Sequence, residues 1–213
     1  MGRSTRLVVV LLLNVVLVAG LLIVGISAHS LGVLAEGADY LADAAAIGVS
    51  LFAIWLSKKQ SADGTRDRYP KATNLAALVN GGWLLIISVL VVAGAIDRLA
   101  TTTRHVHGLP VIVVSGIAAA VMLGGALLLG GDIDGDDDDL NMRAVLLDTA
   151  ADAAAAAGVA LTGGIILAAH GLYWLDPTVA LVIVIIVGYH ALRLLMKVVR
   201  ALRTTSVGGT RRA

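Results

Sequence analysis

Six long apolar runs constrain this chain more than any other feature. Leu7–Ile26, Leu31–Trp55, Leu75–Ile96, Leu109–Leu129, Ala144–Ala169 and Val179–Met196 are built mainly of Leu, Val, Ile and Ala. A run of about 20 such residues crosses the hydrocarbon of a bilayer. There it must be helical, because no water is present to satisfy an open backbone N–H or C=O. The sequence therefore predicts an all-α membrane protein with six transmembrane helices. A soluble domain has no need to segregate its apolar residues in this way. With 58% hydrophobic and only 15% charged residues, the 213-residue chain also departs from soluble composition. Arg3 and Arg6 ahead of the first run raise the possibility of a signal peptide, but the run exceeds the roughly 7–15 apolar residues of such a leader. A retained helix is expected.

Orientation follows from the basic residues, which concentrate on the cytoplasmic side of membrane proteins. With six spans, one side receives Arg3, Arg6, Lys58, Lys59, Arg66, Arg68, Lys71, Arg143, Arg193, Lys197, Arg200, Arg203, Arg211 and Arg212. The other receives only Arg98 and Arg104. Both termini are accordingly expected in the cytoplasm, in the plasma membrane of a cell. An odd number of spans would scatter these charges. Residues 1–203 form one transmembrane domain in this reading, followed by a short basic tail, 204–213, with lipid head groups in reach and no case for nucleic acid.

Ionisable side chains are expensive inside a membrane and usually face a partner or an aqueous cavity. The second run carries Glu36, Asp39 and Asp43, and the fifth carries Asp148 and Asp152. Residues at i and i+4 share a helix face, so each Asp pair aims two carboxylates one way. Facing one another, the two helices would bring four carboxylates to one point. The alternative is that the aspartates line a watery vestibule or pair with bases, yet no Lys or Arg lies in the core of any run. Four clustered carboxylates raise one another's pKa and titrate as a unit. A divalent cation relieves the repulsion and displaces protons, and protonation expels the cation, which is what proton–metal exchange requires. With no cysteine, ligands are limited to oxygen and imidazole. Antiparallel packing would set Asp39 level with Asp152 and Asp43 level with Asp148. For that, the fifth helix must begin near Asn141, or the site must open to the cytoplasm.

These residues resemble the cation diffusion facilitator family. Ser30–Asp43, with Asp39 and Asp43, is similar to that family's second-helix motif, in which His or Asp is followed four residues later by Asp. Arg68–Asn80 resembles its approach to the third helix, Asn141–Asp152 its fifth-helix motif, and Trp174–Pro177 the start of its sixth helix. The resemblance runs from about residue 5 to residue 203. It implies a six-helix homodimer that exports zinc, manganese or a related ion against protons by alternating access, with Asp39, Asp43, Asp148 and Asp152 as the transport-site ligands. Two departures stand out. Family members often place His at the position of Asp39 or Asp148. An all-carboxylate set suits a harder ion such as manganese, whereas general affinity order favours zinc. The family's soluble C-terminal domain is also missing, as in a short form or a truncated chain, so any dimer would form through membrane helices.

Other features carry weaker readings. Asp132, Asp134, Asp136, Asp137, Asp138 and Asp139 form an acidic loop that either collects cations weakly or serves as a solvated linker. Glu36 is a candidate for an outer ligand shell or a proton relay. His29 and the His105-x-His107 pair are either interfacial metal ligands or solvated side chains, and His170 and His190 are expected to satisfy local hydrogen bonds. Asp176-Pro177 reads as the cap and first turn of the sixth helix. Paired glycines such as Gly81-Gly82, Gly124-Gly125 and Gly163-Gly164, and the alanines of Ala153–Gly158, read as helix-packing surface. The competing functions are a passive divalent-cation channel and, remotely, an intramembrane aspartyl protease. No enzymatic cofactor is implied.

Overall fold

The computed structural model describes residues 3–60, 69–101, 105–130 and 139–208. Its regular elements are helices: α1 (Arg3–Ser27), α2 (Leu31–Gln60), α3 (Tyr69–Ala100), α4 (Gly108–Gly130), α5 (Asp139–Ala169) and α6 (Leu175–Gly208). Each contains one of the six apolar runs and extends beyond it, because helical hydrogen bonding continues into the polar flanks. α5 begins at Asp139, close to the early start that the position of Asp148 demands. Among the described residues, four stretches are long and apolar enough to cross a membrane: Leu78–Ala100, Gly108–Leu127, Leu146–Ala169 and Leu175–Arg200. α1 supplies the shorter apolar stretch Asn14–Ser27. In α2 the apolar character is broken by Glu36, Asp39 and Asp43.

The chain divides into two compact units. The first comprises Met1–Val18, Ala38–Leu90 and Val184–Ala213, and the second comprises Ala19–Gly37 and Val91–Ile183. In the first unit, Tyr40, Ala42, Ala44, Val187, Ala191 and Val198 are buried. α3 and α6 touch there at Gly81, where an added Cβ would stand 3.0 Å from Leu195 Cγ.

The second unit is held by the α4–α5 pair. Val111, Ala118, Ala156, Val159 and Ile166 are buried within it. A Cβ on Gly108 would meet the Gly163 carbonyl oxygen at 2.4 Å, and one on Gly163 would meet Val111 Cγ1 at 2.8 Å. Only glycine permits so close a backbone approach. In two of the paired glycines just one member packs. Gly82 and Gly124 face open space while Gly81 and Gly125 meet neighbours, because adjacent helical residues point about 100° apart. The alanines after Asp152 behave similarly: Ala153 and Ala156 are buried, whereas Ala154 is exposed.

The α1–α2, α3–α4 and α5–α6 connections gather at one end of this second unit. The His107 N–H donates to the Ala28 carbonyl at 3.1 Å. Arg98 Nη1 donates to the His29 carbonyl at 2.6 Å and lies 3.6 Å from Asp176 Oδ2.

Candidate metal site

Asp39 and Asp43 lie on α2 in the first unit, both half-buried between the buried Ala38, Tyr40, Ala42 and Ala44. The helix is unbroken from Leu31 to Gln60, so the two carboxylates leave one face about 6 Å apart along the axis. Asn80 of α3 reaches the same stretch, its Nδ2 donating to the Ala42 carbonyl at 3.3 Å. Asp148 and Asp152 lie on α5 in the second unit, the first exposed and the second half-buried. One residue beyond Asp148, Thr149 closes against α4, where a Cβ on Gly125 would find its Cγ2 at 3.7 Å. Each unit thus contributes one i, i+4 carboxylate pair, and neither brings three His, Asp or Glu side chains together among the described residues.

Glu36 belongs to the second unit, three residues before Asp39 on α2. It is 2% exposed and accepts a hydrogen bond from Ser115 Oγ of α4 at 2.6 Å. A carboxylate so deep in an apolar bundle is costly without such a donor, and this one stays within a turn of Asp39. Of the acidic loop, residues 132 to 138 lie outside the described residues, and Asp139 is the first residue of α5.

Asp176 has a role that its sequence context concealed. α6 begins at Leu175, which puts Asp176 and Pro177 in its first turn. The Asp176 carboxylate is spent on α2 instead. Asp176 Oδ2 accepts the Leu31 N–H at 2.7 Å, and Oδ1 accepts the Gly32 N–H at 3.2 Å and the Ser30 hydroxyl. Ser30 Oγ in turn accepts the Val33 N–H at 3.1 Å. The first three amide donors of α2, which no helix can satisfy internally, are all met. The anionic cap also sits at the positive end of the α2 dipole. The expected local cap is therefore a tertiary one, and an Asp-Pro dipeptide cannot announce which helix its carboxylate serves.

The histidines sort differently from their sequence pairing. His105 lies against Tyr173, with ring centroids 4.4 Å apart, while His107 faces His29 at 6.4 Å. His170 Nδ1 approaches the Ala168 carbonyl at 3.2 Å, the local bond expected of it. His190 sets its ring 5.9 Å from that of Tyr189.

Residues 7–203 match the family model described as the cation efflux transmembrane domain. The chain belongs to the cation efflux family. It is similar to the cadmium, cobalt and zinc/H(+)-K(+) antiporter of Bacillus velezensis, at 28% identity over 85% of this chain and 59% of that protein. It is also similar to the zinc transporter ZitB of Yersinia pseudotuberculosis, at 27% identity over 91% of this chain and 61% of that protein. A shorter match, 31% identical over 46% of this chain and 26% of the relative, links it to a proton-coupled zinc antiporter of Homo sapiens. The chain thus spans about three-fifths of the length of the two bacterial relatives. Cation efflux proteins are integral membrane transporters rather than enzymes, which removes the aspartyl protease from consideration.

Proposed function

We propose that this cation efflux protein exchanges a divalent metal ion for protons at one site made by Asp39 and Asp43 of α2 with Asp148 and Asp152 of α5. The observation that carries the reading is the presence of two i, i+4 carboxylate pairs on two helices of a cation efflux domain. The metal neutralises carboxylates that cannot all remain ionised together, and protons arriving from the opposite side release it. Glu36, one turn from Asp39 and bonded to Ser115, passes protons to or from the site. The acidic residues Asp132, Asp134 and Asp136–Asp139 collect cations weakly by their charge.

The protein crosses the plasma membrane six times with both termini in the cytoplasm. The one-sided distribution of Lys and Arg supports this, as does the gathering of alternate helix connections at one end of the second unit. It works by alternating access as a homodimer. Zinc is the favoured cargo on the names of the relatives and on affinity order, with manganese admitted by the all-oxygen ligand set.

The test is flux in sealed proteoliposomes. Zinc uptake should rise with an imposed pH gradient, stop when the gradient is collapsed, and disappear in Asp39→Asn and Asp152→Asn. Zinc flux that ignores the proton gradient would instead identify a passive channel. Full activity in both Asn variants would dismiss the four-carboxylate site.

A further inference from the structure

The structure assigns a second divalent-cation site to His29 and His107, at the end of the second unit where the helix connections gather. The two imidazoles are both exposed, with centroids 6.4 Å apart and planes tilted by 48°. An imidazole nitrogen binds zinc at about 2.0–2.1 Å, which puts each ring centroid about 3.2 Å from the ion. Two rings on one ion therefore have centroids about 5 Å apart in tetrahedral geometry and about 6.4 Å apart when opposed. The observed spacing falls at the upper end of that window.

Both rings hang from anchored backbone. Arg98 Nη1 holds the His29 carbonyl, and the His107 N–H is bonded to the carbonyl of Ala28, the residue before His29. The charge of Arg98 is answered by Asp176 at 3.6 Å, which tempers its repulsion of an incoming cation. His29 has φ of 55°. For a non-glycine residue this left-handed conformation is unfavourable and persists only where surroundings enforce it. No described residue hydrogen-bonds a ring nitrogen of either imidazole, so these nitrogens are available as ligands. His105, two residues from His107, is taken up by Tyr173 and does not join them. The described residues supply no third His, Asp or Glu, so water completes the shell. Two imidazoles with open positions suit exchangeable copper(II), zinc or cobalt(II) and disfavour magnesium or calcium.

The site is independent of the four aspartates and is tested without them. The full chain carrying Asp39→Asn and Asp152→Asn, free of any affinity tag, is titrated with copper(II) and followed by electron paramagnetic resonance, then with zinc by calorimetry. The expected result is one bound copper with hyperfine structure from two imidazole nitrogens. His107→Ala and His29→Asn (asparagine tolerates the left-handed backbone) should each lose one imidazole and weaken zinc binding at least tenfold, with His105→Ala unchanged and the helical circular dichroism of all three retained. A one-imidazole spectrum in the parent, or a two-imidazole copper spectrum that survives both His29→Asn and His107→Ala, overturns the assignment. Either result leaves the reading of the aspartates standing.

Discussion

Asp176 Oδ2 accepts the backbone N–H of Leu31 at 2.7 Å across 145 positions of sequence. With the bonds from Gly32 and Ser30 and the nearby Arg98, this one carboxylate ties the α1–α2 turn to the ends of α3 and α6. Asp176→Ala strips the cap from α2 and removes the carboxylate that lies 3.6 Å from the Arg98 guanidinium. Losing a cap costs about 1 kcal/mol, and three donors of the α1–α2 turn lose their acceptor together. Thermal unfolding in detergent should therefore show a large drop for Asp176→Ala and a smaller one for Asp176→Asn, which keeps an acceptor. Equal melting temperatures for both variants and the parent would remove Asp176 from this role.

Gly163 and Gly82 make opposite predictions from the same substitution. A Cβ on Gly163 would stand 2.8 Å from Val111 Cγ1 and 3.0 Å from the Gly108 carbonyl, whereas one on Gly82 would meet nothing within 4 Å. Gly163→Ala should destabilise by about 1–3 kcal/mol through forced separation of α4 and α5. Gly82→Ala should be neutral or stabilising by up to about 1 kcal/mol, since alanine is the better helix former. Melting curves of the two variants side by side decide the matter.

Glu36 and Ser115 are bonded at 2.6 Å inside the second unit. Glu36→Gln preserves shape and hydrogen bonding but cannot carry a proton as a carboxylate can. On the proposed relay it should slow proton-driven zinc flux on the order of 10- to 100-fold, the usual effect of a supporting group near a metal site. Zinc affinity at equilibrium should change little. A variant that loses affinity and keeps its turnover would make Glu36 a binding group and not a relay.

Asp148→His replaces a carboxylate oxygen with an imidazole nitrogen. Softer, nitrogen-preferring ions should gain on harder ones, so competition between zinc and manganese in a binding titration should move toward zinc by about tenfold or more, roughly 1.4 kcal/mol. An unchanged ratio would mean that ligand type does not set selectivity at this position.

Proton competition gives the pH dependence a definite sign. Carboxylates bind metal when ionised and release it when protonated. Zinc affinity should therefore fall as pH is lowered, and fall less steeply in Asp39→Asn, where one competing proton site is gone. Isothermal titrations at several pH values supply the slopes.

Apolar runs, helix count, the i, i+4 spacing of Asp39 with Asp43 and of Asp148 with Asp152, and the motifs of a cation efflux domain were all determined by the sequence itself. These are local properties: hydrophobic length and helical periodicity repeat within a few residues and need no knowledge of neighbours. The early start of α5 was also legible, because Asp148 sits too close to the apolar boundary for a later one. Tertiary structure alone decided that Asp176 caps α2 and not α6, that Gly163 is a close contact while Gly82 is not, that Ser115 supplies the donor to Glu36, and that His107 meets His29 and not its near neighbour His105. Each of these joins residues far apart in sequence. Their partners are chosen by how helices pack and where connections return, and no spacing along the chain encodes that choice.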